Sequence, residues 1–68
     1  MSGDVIELTV NGETKSVHAG VSVAGLLEEL QISGRKVAVE RNLEIVPKSL
    51  YAETQLESGD RLEIVAFV

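Results

Sequence analysis

Residues 5 to 18 allow few conformations. Val5-Ile6-Glu7-Leu8-Thr9-Val10 alternates after Val5, putting Ile6, Leu8 and Val10 on one side and Glu7 and Thr9 on the other, the period of a half-buried strand. Asn11-Gly12 follows at once. This dipeptide tolerates the positive φ angles of a two-residue hairpin turn, so Glu13 to His18 can return as the partner strand. The chain opens with a β-hairpin.

Ala19-Gly20 breaks the alternation. Ser22 can then cap a helix in which Val23, Leu26, Leu27 and Leu30 recur at helical spacing, with Glu28 and Glu29 on the wet side. Gly25 lies inside it at a cost of about 1 kcal/mol against alanine, which points to close packing or a frayed first turn. Ser33-Gly34 is expected to close the helix. Val37-Ala38-Val39-Glu40 reads as a third strand, and Ile45-Val46 as a short apolar step that stops at Pro47, which lacks the N–H a central ladder needs. Lys48 to Leu56 is a loop or a single helical turn, and Ser58-Gly59-Asp60 is turn chemistry. Arg61 to Val68 then forms the most apolar strand, expected at the centre of the sheet with a helix over one face. Two strands, a helix and a returning central strand make an α+β architecture, the β-grasp fold of ubiquitin: a mixed sheet with one main helix on one face.

With 68 residues the chain encloses one core, so residues 1–68 are expected to form a single domain. Its 44% hydrophobic content supports a packed core, and no run of about 18 apolar residues would cross a membrane. The N-terminal Met1-Ser2-Gly3-Asp4 lacks the features of a signal peptide, and a cytoplasmic location is expected. A net charge of -5 disfavours nucleic acid and anionic membranes and favours a positively charged protein surface as partner.

Candidates for chemistry are few. Cysteine is absent, and the single histidine, His18, falls at a strand end on the polar parity, where a solvated side chain is expected; no metal site is predicted. Glu28 and Glu29 are adjacent on a helix and diverge by about 100°. Gly20 and Gly25 match no phosphate-loop spacing. No catalytic residue and no cofactor are assigned. One feature does point to a function. If Leu62 and Ile64 face inward, then Val65 and Phe67 project outward, with Ala38 on the same side, forming an apolar patch beside the C-terminus. Val65, Phe67, Val68 and Ala38 are the expected partner-binding residues.

The stretch from Val37 to Ser49, with its Ile45-Val46-Pro47-Lys48 step, and that from Thr54 to Val65, with its Gly59-Asp60 turn, resemble the sulfur carriers of thiamine biosynthesis, the ThiS family. Val10-Asn11-Gly12-Glu13 and Ser22-Val23-Ala24-Gly25-Leu26-Leu27 are similar as well, so the resemblance spans nearly the whole chain. It implies a ubiquitin-like protein that acts as a cosubstrate and not as an enzyme. Its C-terminal diglycine would be adenylylated by an E1-like adenylyltransferase of the ThiF type. The resulting thiocarboxylate would then be donated to a thiazole synthase of the ThiG type. The free carrier is expected to be monomeric.

The sequence departs from this pattern in two places. It stops at Val68, where the family continues into glycines, so the atom that would carry sulfur lies beyond it. Shortening of a flexible tail is the preferred explanation; loss of the carrier function and later removal of the tail are the others. Asn42 is followed by Leu43, where the family often has glycine, which puts the local turn in question. Two other readings stay open: a carrier like the small subunit of molybdopterin synthase, and a ubiquitin-like adaptor that transfers nothing.

Overall fold

The computed structural model describes residues 4–67. Strand β1 (Val5–Val10) turns through Asn11 (φ 50°) and Gly12 (φ 85°) into β2 (Glu13–His18), in register from Val5 opposite His18 to Val10 opposite Glu13. Helix α1 (Val23–Glu29) follows, then a 3-10 turn at Gly34–Lys36, β3 (Val37–Arg41), β4 (Glu44–Ile45), a second 3-10 turn at Lys48–Leu50 and β5 (Arg61–Ala66). The sheet order is β2-β1-β5-β3-β4, with β1 and β5 parallel and the other pairs antiparallel. The expected β-grasp architecture is therefore the observed one, with the last strand central.

The apolar faces of sheet and helix meet in one core, in which Leu8, Val23, Leu26, Val39 and Leu62 are almost fully enclosed. Leu26 and Leu27 are buried and Leu30 packs at the margin, as the helical spacing predicts. The Ser22 hydroxyl accepts from Gly25 N at 3.0 Å and so caps the helix. A Cβ on Gly25 would come within 3.1 Å of Val21 Cγ2, so close packing accounts for this glycine. The loop after β4 completes the helix start: Val23 N donates to Thr54 O and Ala24 N to Tyr51 O, both at 2.9 Å, pairing two N–H groups that have no partner within the helix. That loop also sends Tyr51 and Leu56 into the core, a contribution no periodicity reveals.

Three expected boundaries are corrected. The helix does not run to Ser33-Gly34. Gln31 takes the left-handed conformation (φ 60°), with Gln31 N donating to Glu28 O at 3.0 Å and Ile32 N to Leu27 O at 2.9 Å. Ile32 packs back on the core, so this two-bond C-terminal cap is sealed by an apolar contact and does without glycine. The short strand is Glu44–Ile45, one residue earlier than expected, because Val46 turns inward and is buried. The last strand ends at Ala66, although Phe67 N still bonds Lys36 O at 2.7 Å, and Val68 lies outside the described residues.

Candidate partner-binding face

Strand β5 is held at its start from both sides by asparagine side chains. On the β1 side, Asn11 N donates to Leu62 O at 2.9 Å, Asn11 Nδ2 donates to Ile64 O at 3.1 Å, and Asn11 Oδ1 accepts from Ile64 N at 2.8 Å. The amide thus copies a strand residue where β1 has ended. On the β3 side, Asn42 N donates to Arg61 O at 2.7 Å and Asn42 Oδ1 accepts from Arg61 N at 2.9 Å. Both asparagines adopt positive φ, a region this short polar residue tolerates.

Asp60 ties this end together. Its buried carboxylate accepts from Arg41 Nε and Glu57 N, each at 2.8 Å, and from Asn42 Nδ2 at 3.1 Å. Burial pushes its pKa up. The hydrogen bonds from Glu57, Asn42 and Arg41, together with the Arg41 charge, outweigh that effect and hold it below the usual carboxylate value. By clamping Asn42, Asp60 also fixes the β3–β4 turn, in which Leu43 has φ 72° and is 90% exposed. The turn therefore forms despite the missing glycine, with a leucine in a conformation that side chains disfavour.

Beyond this clamp the two faces of β5 differ. Leu62 is 1% exposed and Ile64 packs on the core, while Val65 and Phe67 are 57% and 55% exposed. Ala38 is half-buried and directly opposite Val65. The structure thus brings Ala38, Val65 and Phe67 together on the face that carries no helix. Lys48 Nζ stands 5.5 Å from the centre of the Phe67 ring and donates to Arg35 O at 2.8 Å. At the opposite end of this face a groove of about 440 Å³ opens, lined by Thr9, Glu40, Leu43, Arg61 and Glu63 among others.

The remaining polar candidates do not converge. His18 is exposed, with Nδ1 3.1 Å from Glu29 Oε2 at the sheet edge; Glu28 is exposed too. Among the described residues no group of three or more His, Cys, Asp or Glu side chains could hold a metal ion, and no helix is long and apolar enough to cross a membrane. Sequence reasoning missed the Asp60 clamp, the two asparagine amides and the Lys48 ammonium beside Phe67. Only the two turn dipeptides and Gly59-Asp60 hinted at them.

A β-grasp sheet that leaves one face open and ends its central strand beside an exposed aromatic defines a ubiquitin-like carrier or binding domain. The sequence profile of the ThiS family matches residues 2–68. This chain belongs to the ThiS family. A protein described as a thiazole synthase from Paramagnetospirillum magneticum is 56% identical over 63 residues, which cover 93% of this chain but 19% of that protein. The sulfur carrier protein ThiS of Bacillus subtilis is 43% identical over 47 residues, covering 69% of this chain and 71% of the relative. The crystal structure of the thiamine biosynthesis protein ThiS from Geobacter metallireducens superposes with a TM-score of 0.83 at 30% identity, covering 93% of this chain and 96% of that one.

Proposed function

We propose that this domain carries sulfur for the thiazole-forming step of thiamine biosynthesis and acts as a protein cosubstrate, not as a catalyst. The observation that carries the reading is membership of the ThiS family, joined to an apolar face at the end of the strand that leads to the C-terminus. In this reading the carboxylate of a C-terminal glycine attacks the α-phosphorus of ATP on a ThiF-type adenylyltransferase, and pyrophosphate leaves. Sulfide-level sulfur from a sulfur source then attacks the acyl carbon, forming the C–S bond as the C–O bond to AMP breaks and a proton is released, and a thiazole synthase consumes the resulting thiocarboxylate. A thiazole synthase that contains a stretch 56% identical to this domain supports the choice of acceptor. The need for ATP supports a cytoplasmic site of action. Val65, Phe67 and Ala38 are the contacts we assign to the partners, because exposed aromatic and aliphatic anchors dominate interface energies.

The test compares the chain ending at Val68 with one extended by two glycines. Each is incubated with ATP, the adenylyltransferase and a sulfur source, and followed by pyrophosphate release and intact mass. The extended chain is expected to exchange one oxygen for sulfur and then support thiazole formation. Binding without any adenylate on the extended chain would mean an adaptor instead of a carrier.

A further inference from the structure

On the open face, the β3–β5 ladder presents a series of outward cross-strand pairs. Ala38 faces Val65 and Glu40 faces Glu63 in the strand register. Backbone hydrogen bonds continue it in both directions, from Phe67 to Lys36 and from Asn42 to Arg61. Successive rows are about 7 Å apart. The charges along this series fall in blocks, basic at Lys36, acidic at Glu40 and Glu63, and basic again at Arg61 one row beyond. At the C-terminal end Phe67 N bonds Lys36 O and Lys48 Nζ stands beside the ring while donating to the backbone carbonyl of Arg35, so Lys36 and Lys48 border this end. Next comes the apolar row. Then Glu40 and Glu63 face each other, bordering the groove that also includes Thr9, Arg61 and Leu43.

Two of these features are costly or unused within the chain. Like charges directly opposite each other on neighbouring strands destabilise a sheet, and among the described residues neither Glu40 nor Glu63 has an ion-pair partner within 4.0 Å. Arg35, Lys36 and Lys48 likewise form no ion pair among those residues, although the chain carries a net charge of -5. Net charge alone favours a basic partner surface, and that expectation does not describe the end where the strand emerges.

We infer that this face is a polarised docking strip, and that its occupant is a protein surface with the inverse pattern. That surface presents a carboxylate toward Lys36 and Lys48, an apolar side chain over Ala38 and Val65, and a guanidinium or ammonium group in the groove at Glu40 and Glu63. The inference rests on the reading of this face as the contact surface for the thiazole synthase and adds the charge order that would set its orientation. The basic, apolar and acidic rows, with Arg61 beyond them, read differently in the two directions, so only one direction of docking matches the partner and the C-terminal strand points the same way across it.

The experiment titrates the chain and its variants against the thiazole synthase of the same organism, beside thermal melts of each variant. Lys36→Glu and Glu63→Lys are each expected to weaken binding about tenfold at low salt, and by less than about threefold at about 0.5 M salt, where screening is strong. Glu63→Gln is expected to raise the melting midpoint by about 1–5 °C while weakening binding, since it relieves the repulsion that the partner otherwise relieves. If Phe67→Ala weakens binding and the charge reversals do not, the polarised strip is overturned and the apolar contact surface stands. If folded variants of both kinds bind like the parent, the contact surface falls as well. If the parent chain itself fails to bind, the assignment of the thiazole synthase as partner falls and takes this inference with it.

Discussion

The two ends of β5 are built to opposite specifications. At Arg61–Ile64 the strand is paired on both sides, with asparagine amides extending its neighbours and the Asp60 carboxylate locking the adjoining turns. At Val65–Phe67 the described partner is β3 together with Lys36, and the outward side chains are exposed. One end anchors and the other presents. This asymmetry suits the carrier role proposed above, in which one end of the strand is fixed by the fold and the other is offered to a partner.

The comparison makes predictions that fall in order of size. Leu62→Ala, at the anchored end and 1% exposed, is expected to cost about 2–5 kcal/mol in a urea melt, through lost burial and the cavity left behind. A loss under about 1 kcal/mol would mean that this end is no better anchored than the other.

Asp60→Ala is expected to cost about 1.5–3 kcal/mol at neutral pH, because Arg41, Asn42 and Glu57 N lose one shared acceptor. Since the folded pKa of Asp60 is lowered, its contribution is complete above the unfolded carboxylate value of about 4 and disappears as pH falls through the lower folded value. Melts in acid should therefore bring parent and variant together. A gap that stays constant from neutral pH to about pH 2 would show that ionisation of Asp60 contributes nothing to the clamp.

Leu43→Gly sharpens the picture from the other side. Its φ of 72° and 90% exposure mean that glycine relieves strain and loses little burial, so a gain of about 0.5–1 kcal/mol is expected. Destabilisation would show that the leucine side chain packs on the turn after all.

The smallest effect belongs to the presenting end. Phe67→Ala should shift stability by less than about 1 kcal/mol, while its effect on partner affinity reaches about 1–3 kcal/mol. A loss of stability near that of Leu62→Ala would erase the difference between the two ends.

Most of the fold is legible in the sequence because its elements rest on local patterns. Alternation in β1, the Asn11-Gly12 turn and the spacing of Leu26 and Leu27 each involve residues within a few positions of one another. The parity of β5 was equally readable, and it put Val65 and Phe67 outside and Leu62 inside, as found. Boundaries were harder: Gln31 ends the helix in place of Gly34 because Ile32 finds the core, a contact invisible to propensity.

The amino-acid sequence by itself therefore determined the hairpin, the helix, the central last strand and the outward face of its final residues. Tertiary structure alone decided how that strand is held and how its open face is charged. Asn11 meets Ile64 across 53 positions and Asp60 meets Arg41 across 19, while Lys48 reaches both the Phe67 ring and the carbonyl of Arg35 from a separate segment. Such contacts carry no periodicity, because they exist only once the chain has closed on itself.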